Sequence, residues 1–320
     1  MLKKCFLVFC AAALFLTGCG KASQKQKAKY KIGVSIPAAT HGWSAGVIWH
    51  AEQVRDQLQK ENPDAEILIT TCTDAADQVN RIENLMTRGV NALVVMAQEP
   101  DPLQTACAKA KKKGIYLVIV SNPLKERIED VFVNGDNTGF GIAAAHAMGK
   151  ELNGKGNIVV MEGYSSPINT ARITAFRNTL QKDYPGIKIL DSRLAYYSSE
   201  KALALMENYL QKFKNTKIDG VWAGDDDALL GALKACTEQK AAGIRTIIGG
   251  GGSSKVVKMI MDGHPQVRTT VTYPPQIIVT GIKAALSGLQ GKQQAKELTV
   301  PSEIVTKENA SGFYFPASNY

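Results

Sequence analysis

From residue 30 onward the chain predicts an α/β protein of two similar lobes, each a parallel sheet sandwiched by helices, joined by chain segments that cross between them. Three observations carry this. Short β-branched apolar runs alternate with longer amphipathic stretches, and nearly continuous apolar strands of that kind belong to parallel sheets buried on both faces. The alternation then begins again in the second half. About 290 residues after the first thirty also exceed what one core usually organises, and no low-complexity linker divides them, so segments have to pass between lobes.

Residues 31 to 36, 66 to 71, 92 to 96 and 116 to 120 read as the first strand series, with helical stretches ending near Gly89 and Gly114. Asp74 can cap the helix that carries Val79, Ile82, Leu85 and Met86, and Gly89 can end it. Residues 157 to 162, 188 to 194, 220 to 223 and 246 to 249 form the second series. Its helices are expected around 170 to 183, 201 to 213, 228 to 239 and 255 to 262.

The first thirty residues have a different purpose. Lys3 and Lys4 precede an apolar run from 5 to 16, which Leu16, Thr17, Gly18 and Cys19 close. This is the layout of a signal peptide over 1 to 18 with a lipobox-like end, and a dozen apolar residues fall short of the roughly 20 that span a bilayer. Resemblance to bacterial lipoproteins implies that Cys19 becomes a lipidated N-terminus; the alternative is an uncleaved helix with an incidental cysteine. Residues 19 to 29 are small, polar and lysine-rich, the composition of a flexible tether. Seven lysines and no acid lie within residues 1 to 31, so subtracting seven from the net charge of +9 leaves +2 for the rest. The positive charge belongs to export and membrane proximity, and a nucleic-acid partner is excluded.

Cys72, Cys107 and Cys236 remain after Cys5, Cys10 and Cys19. An odd, widely spaced set is neither a disulfide framework nor a zinc pattern, and buried thiols are expected. Four histidines without paired spacing give a metal site little support. Ligands of open α/β sheets sit outside the carboxyl ends of the strands. That rule selects the loops 41 to 44, 97 to 101, 121 to 123, 165 to 169, 196 to 198, 224 to 227, 249 to 253 and 272 to 275. Their aromatic, hydroxyl, amide, arginine and acidic groups suit a sugar, whose ring faces stack on aromatics and whose hydroxyls need paired donors and acceptors.

The order and spacing of IGVSIPAATHGW (32 to 43), DQVNRIENLMTRGVNALVV (77 to 95), VNGDN (133 to 137), ARITAF (171 to 176) and AGDDDALLGALKA (223 to 235) resemble the ribose/galactose type of periplasmic binding protein, type I. The likeness runs from about residue 30 to 320. It implies three hinge crossings, with 30 to 135 and 273 to 300 in an N-terminal lobe and 136 to 272 and 301 to 320 in a C-terminal lobe. It also implies a small-molecule ligand, of the monosaccharide class, and delivery by a monomer to the permease of an ABC transporter, with the membrane reached through the N-terminal lipid. No cofactor is implied.

The resemblance places His41, Trp43 and Ser44 in a ligand-gripping loop, with Trp43 stacking on a ring face; its alternative is packing at a helix start. Trp49 reads as structural. Arg172 falls four residues before Phe176, as a sugar-binding arginine does in relatives, where its planar fork donates paired hydrogen bonds. Tyr197 matches an aromatic that closes the second lobe, with Tyr196 left as the neighbouring choice. Asp225 replaces a sugar-binding amide, while Asp226 or Asp227 would cap a helix. Two departures stand out. Ser121 and Asn122 occur where relatives pair an aspartate with an arginine or asparagine, and Gly249 to Gly252 occupy a turn where relatives carry an aspartate. Ser253, Thr272 and Tyr273 could supply replacement groups.

Other classes fit less well. The run GGGGSSK lacks the Walker order, because two serines precede Lys255. An enzyme would need a positioned acid/base pair, and none emerges from the candidate loops. Cytoplasmic sugar-responsive repressors resemble the same lobes, yet no helix-turn-helix precedes residue 30. A sensing subunit that presents its closed form to a chemoreceptor or sensor kinase is the alternative to transport, because the lobes would be the same.

Overall fold

The computed structural model describes residues 28 to 39, 42 to 318 and 320; the signal segment, Cys19, the tether up to residue 27 and His41 lie outside them. The chain begins β1 (Tyr30–Pro37), α1 (Gly42–Glu61), β2 (Ala65–Cys72), α2 (Ala75–Thr87), β3 (Ala92–Val95), α3 (Pro100–Lys112), β4 (Tyr116–Val120) and β5 (Val131–Gly135). It continues through α4 (Asn137–Glu151), β6 (Lys155–Glu162), α5 (Pro167–Asp183), β7 (Gly186–Leu194), α6 (Ser199–Lys212), β8 (Gly220–Ala223) and α7 (Asp226–Glu238). Last come β9 (Thr246–Gly251), α8 (Ser254–Met261), β10 (Thr270–Thr272), α9 (Ile277–Leu289), β11 (Glu297–Val300), β12 (Ile304–Val305) and two 3-10 turns, Ala310–Phe313 and Pro316–Ser318.

Among the described residues two six-stranded sheets result, ordered β2-β1-β3-β4-β5-β11 and β7-β6-β8-β9-β10-β12. Every pairing among the described residues is parallel apart from the antiparallel β10–β12 pair. Alternate residues of one strand serve opposite layers. Ala92 and Val94 pack with Val47, Ala51 and Ile282 of α1 and α9, whereas Leu93 and Val95 pack with Ile82, Leu85 and Leu103 of α2 and α3. In the second lobe Ile158 and Val160 join Phe140 and Phe176, while Val159 and Met161 join Met206 and Leu229. Both faces of each sheet are therefore covered, which explains the nearly continuous apolar strands.

Helix ends follow local chemistry. Asp74 caps α2 by accepting from the Asp77 amide, and Gly89 ends it at φ +75°, a conformation that glycine adopts without penalty. Cys72, Cys107 and Cys236 are free and buried, and burial pushes their thiols up to about 11, 12 and 12. No helix among the described residues is long and apolar enough to cross a membrane.

The chain passes between the sheets after β5, after β10 and after β11. These crossings are tied together. The Asp136 amide donates to the Val300 carbonyl at 2.9 Å, and the Ser302 hydroxyl to the Asp136 carbonyl at 3.2 Å. Thr272 and Glu303 exchange two bonds: the Thr272 amide donates to the Glu303 carbonyl at 2.8 Å, and the Glu303 amide to Thr272 Oγ1 at 2.8 Å.

Candidate ligand-binding cleft

In each sheet the strand order reverses between neighbours, at β1/β3 in one and β6/β8 in the other. Loops that leave such neighbours diverge and open a crevice. The two crevices face one another across a cleft of about 600 Å³, a volume suited to a small ligand. The first lobe lines it with Trp43, Ser44, Thr73, Gln98, Ser121 and Asn122. The second contributes Tyr164, Ser166, Arg172, Tyr197, Asp225 and Asp227, and the hinge contributes Tyr273.

Arg172 is only 7% exposed, which requires compensation for its charge. Its Nε donates to Asn137 Oδ1 at 2.9 Å, and its guanidinium lies 4.1 Å from the Phe140 ring centroid and 4.4 Å from that of Tyr273. Stacking between two rings fixes the plane of the fork. Burial raises the Tyr197 phenol, and the Arg172 guanidinium opposes that rise. Tyr196 and Tyr197 both have positive φ, 58° and 54°, which is uncommon for aromatic residues and marks a constrained turn. That turn lays Tyr197 against Gly163, where a Cβ would stand 1.9 Å from the ring.

Opposite them, Trp43 Nε1 donates to the Tyr273 carbonyl at 2.7 Å, and the two rings lie 5.6 Å apart at 36°. Trp43 thus both packs on the hinge and faces the cleft. Ser121, at φ 68°, places its hydroxyl 3.4 Å from that of Tyr273. Asn122 is oriented by donating to the Ala97 carbonyl at 2.9 Å.

The three consecutive aspartates have three roles, and the cap falls on a different one from that expected. Asp225 caps α7, accepting from the Ala228 amide at 2.8 Å; burial at the cleft floor pushes its carboxyl up to about 8. Asp226 is buried and accepts from the Gly252 amide (2.9 Å), the Ser253 amide (2.6 Å) and Thr270 Oγ1 (2.7 Å). It joins α7 to the ends of β9 and β10. Asp227 accepts from the Gly42 amide of the first lobe at 3.2 Å. Among the described residues no group of three or more acids, histidines or cysteines is arranged to hold a metal.

Trp43, Ser44, Ser121, Asn122, Arg172, Tyr197, Asp225 and Tyr273 therefore come together around one cavity. Thr272 does not join them: its hydroxyl is engaged by Glu303 and it borders a smaller cavity of about 270 Å³ at the hinge. His41 lies outside the described residues. The glycine run makes room for other side chains, since a Cβ on Gly249 would stand 2.3 Å from Asp226 Oδ1, on Gly250 2.2 Å from Phe140, and on Gly251 2.2 Å from the Tyr320 hydroxyl. Sequence reasoning missed Thr73, Tyr164 and Tyr320; for Tyr320 the signal was indirect, a run of four small residues that something else had to fill. A second depression, of about 530 Å³ beside β7 and α6, is more open, and its Asp191 is already paired with Lys212 at 2.7 Å.

Two α/β lobes with a polar and aromatic cleft between them define a solute-binding protein. The chain belongs to the periplasmic binding protein family: a family model described as a periplasmic binding protein domain matches residues 32 to 293. It is similar to a xylitol-binding protein of Mycolicibacterium smegmatis, 28% identical over 93% of this chain and 84% of that one. It is also similar to a ribose import binding protein of Bacillus subtilis, 23% identical over 96% of this chain and 100% of the other. A solved Actinobacillus succinogenes solute-binding protein with bound D-allose superposes with a TM-score of 0.78 at 22% identity, covering 88% of this chain and 99% of that one. Relatives of this family are solute-binding proteins and not enzymes.

Proposed function

We propose that this chain is the exported, lipid-anchored solute-binding component of an ABC importer and captures a sugar or related polyol between its lobes. The observation that carries the reading is the stacked, hydrogen-bonded Arg172 on one side of the cleft facing Trp43 and Asn122 on the other. A fixed planar donor pair matches neighbouring hydroxyls, and aromatic faces match the apolar side of a sugar ring. The names of the xylitol- and ribose-binding relatives point the same way.

Residues 30 to 135 with 273 to 300 act as one closing body, and 136 to 272 with 301 to 320 as the other. Binding proceeds by hinge closure, because a ligand that touches both lobes stabilises the closed state over the open one. Selectivity arises because a buried polar group left without a partner costs about 1–3 kcal/mol. The run that ends in Cys19 supports lipid anchoring.

A thermal-shift screen of pentoses, hexoses, polyols and nucleosides tests this reading, since a ligand that binds the folded state raises Tm. A raised Tm with a sugar or polyol is the expected result. A response confined to nucleosides would reject the sugar assignment.

A further inference from the structure

Residues 310 to 318 and 320 follow β12 and are tied to the second lobe. The Ser254 amide of α8 donates to the Tyr320 main-chain oxygen at 2.7 Å, and Ser254 Oγ donates to the Phe315 carbonyl at 2.7 Å. The same segment reaches α1 of the first lobe. Phe315 meets His50 edge-on at 5.5 Å between centroids, and a Cβ on Gly46 would stand 2.9 Å from Tyr320 Cβ. Tyr320 is therefore held between Gly46 of one lobe and Gly251 of the other, where φ is +119° and no side chain could coexist with the phenol.

The hydroxyl of Tyr320 is the buried end of a residue that is otherwise partly exposed. It has no hydrogen-bond partner among the described residues and almost no exposed surface, while the residue lines both the cleft and the smaller hinge cavity. Burial raises its phenol well above the ordinary value, and the carboxylates of Asp226 and Asp225 add to that rise, so it is a neutral donor. Buried polar groups in native proteins are nearly always paired, and an unpaired donor on a residue that lines a ligand cleft calls for a partner, which a ligand hydroxyl can supply.

We propose that Tyr320 is a specificity-determining residue of the cleft, whose hydroxyl donates to a ligand hydroxyl and whose segment straps the two lobes together. The inference rests on the reading of the cleft as a site for a polyhydroxylated solute. The ring also limits how far a ligand extends toward the glycine run, so a small polyol or monosaccharide fits better than an oligosaccharide.

The test uses the full chain, the variants Tyr320→Phe and Tyr320→Ala, and D-ribose, xylitol and myo-inositol as probes. With whichever probe the parent binds, calorimetric titration should show Tyr320→Phe weakened about three- to tenfold, the loss of one neutral hydrogen bond. Its unliganded Tm should stay level or rise, because an unpaired buried hydroxyl has been removed. Equal affinity, or an unliganded Tm several degrees lower, overturns the assignment, since the hydroxyl would then be idle or paired inside the protein. In Tyr320→Ala, hydrogen exchange without ligand should show faster exchange in the first turns of α1; unchanged protection overturns the strap. If the parent binds none of the three probes, the titration uses the sugar or polyol that raises Tm in the thermal-shift screen, so that screen judges the reading of the cleft and the variants judge Tyr320, while the exchange measurement decides the strap in either case.

Discussion

The Gly42 amide and the Asp227 carboxylate, 185 positions apart in sequence, meet at 3.2 Å across the cleft. One lies at the start of α1 and the other in the first turn of α7, so the bond exists only while the lobes are close. Asp227→Ala removes about 1 kcal/mol from the closed state, less than a buried charged pair because the site is partly exposed. Apparent affinity should fall about fivefold. Small-angle scattering of the unliganded variant should give a larger radius of gyration than the parent; an unchanged radius would show that the bond does not bias closure.

Arg172 makes a different prediction. Arg172→Ala removes charged hydrogen bonds to the ligand, about 1.5–3 kcal/mol, and binding should weaken tenfold or more. Because it also leaves Asn137 Oδ1 without its donor and unstacks Phe140 and Tyr273, unliganded Tm should drop as well. Trp43→Ala removes apolar contact of about 1–3 kcal/mol from the ligand face. Titration calorimetry on the two variants separates these effects, and parent-like binding by both would place the cleft elsewhere.

Asp225 should govern stability with pH. Its carboxyl is raised by burial from 3.8 to about 8, so the protonated form is favoured in the folded protein. The stability it contributes is complete below about pH 4 and is lost as pH rises through 8. Asp225→Asn keeps a capping side chain and removes this loss, so Tm at pH 8 should exceed that of the parent. Asp226, raised to about 6, leaves a residual slope at lower pH. Thermal melts between pH 4 and 9 check this, and parallel curves would refute it.

Cys19→Ser should release the protein from membranes into the soluble fraction. The motive is the order of Lys3, Lys4, the apolar run and LTGC. Retention of the serine variant on membranes would count against lipid attachment at this position.

The strands were legible because both faces of each sheet are buried, so runs such as ALVV at 92 to 95 carry no polar residue. Cleft residues that directly follow strands, such as Ser121, Asn122 and Asp225, were legible from the carboxyl-end rule. Thr272 also ends a strand, yet its hydroxyl is turned to Glu303; strand position does not reveal which neighbour a hinge hydroxyl will bond. Capping by Asp225 in preference to Asp226 depends on Gly252, Ser253 and Thr270 converging on Asp226 from distant segments. Tyr320 was illegible for the same reason, being brought to Gly251 by contacts of the 310 to 320 segment.

The late return of the chain to the first sheet constrains the order of assembly. Ile277, Ile278, Ile282 and Leu286 of α9 belong to the same core as Ile32 and Val34 of β1, and β11 completes that sheet only at residues 297 to 300. Between them lies nearly the whole second lobe. Some 160 residues therefore separate β5 from β11, and contacts this distant in sequence form slowly. The first core is thus sealed only by segments that lie beyond the second lobe, which couples the folding of the two lobes.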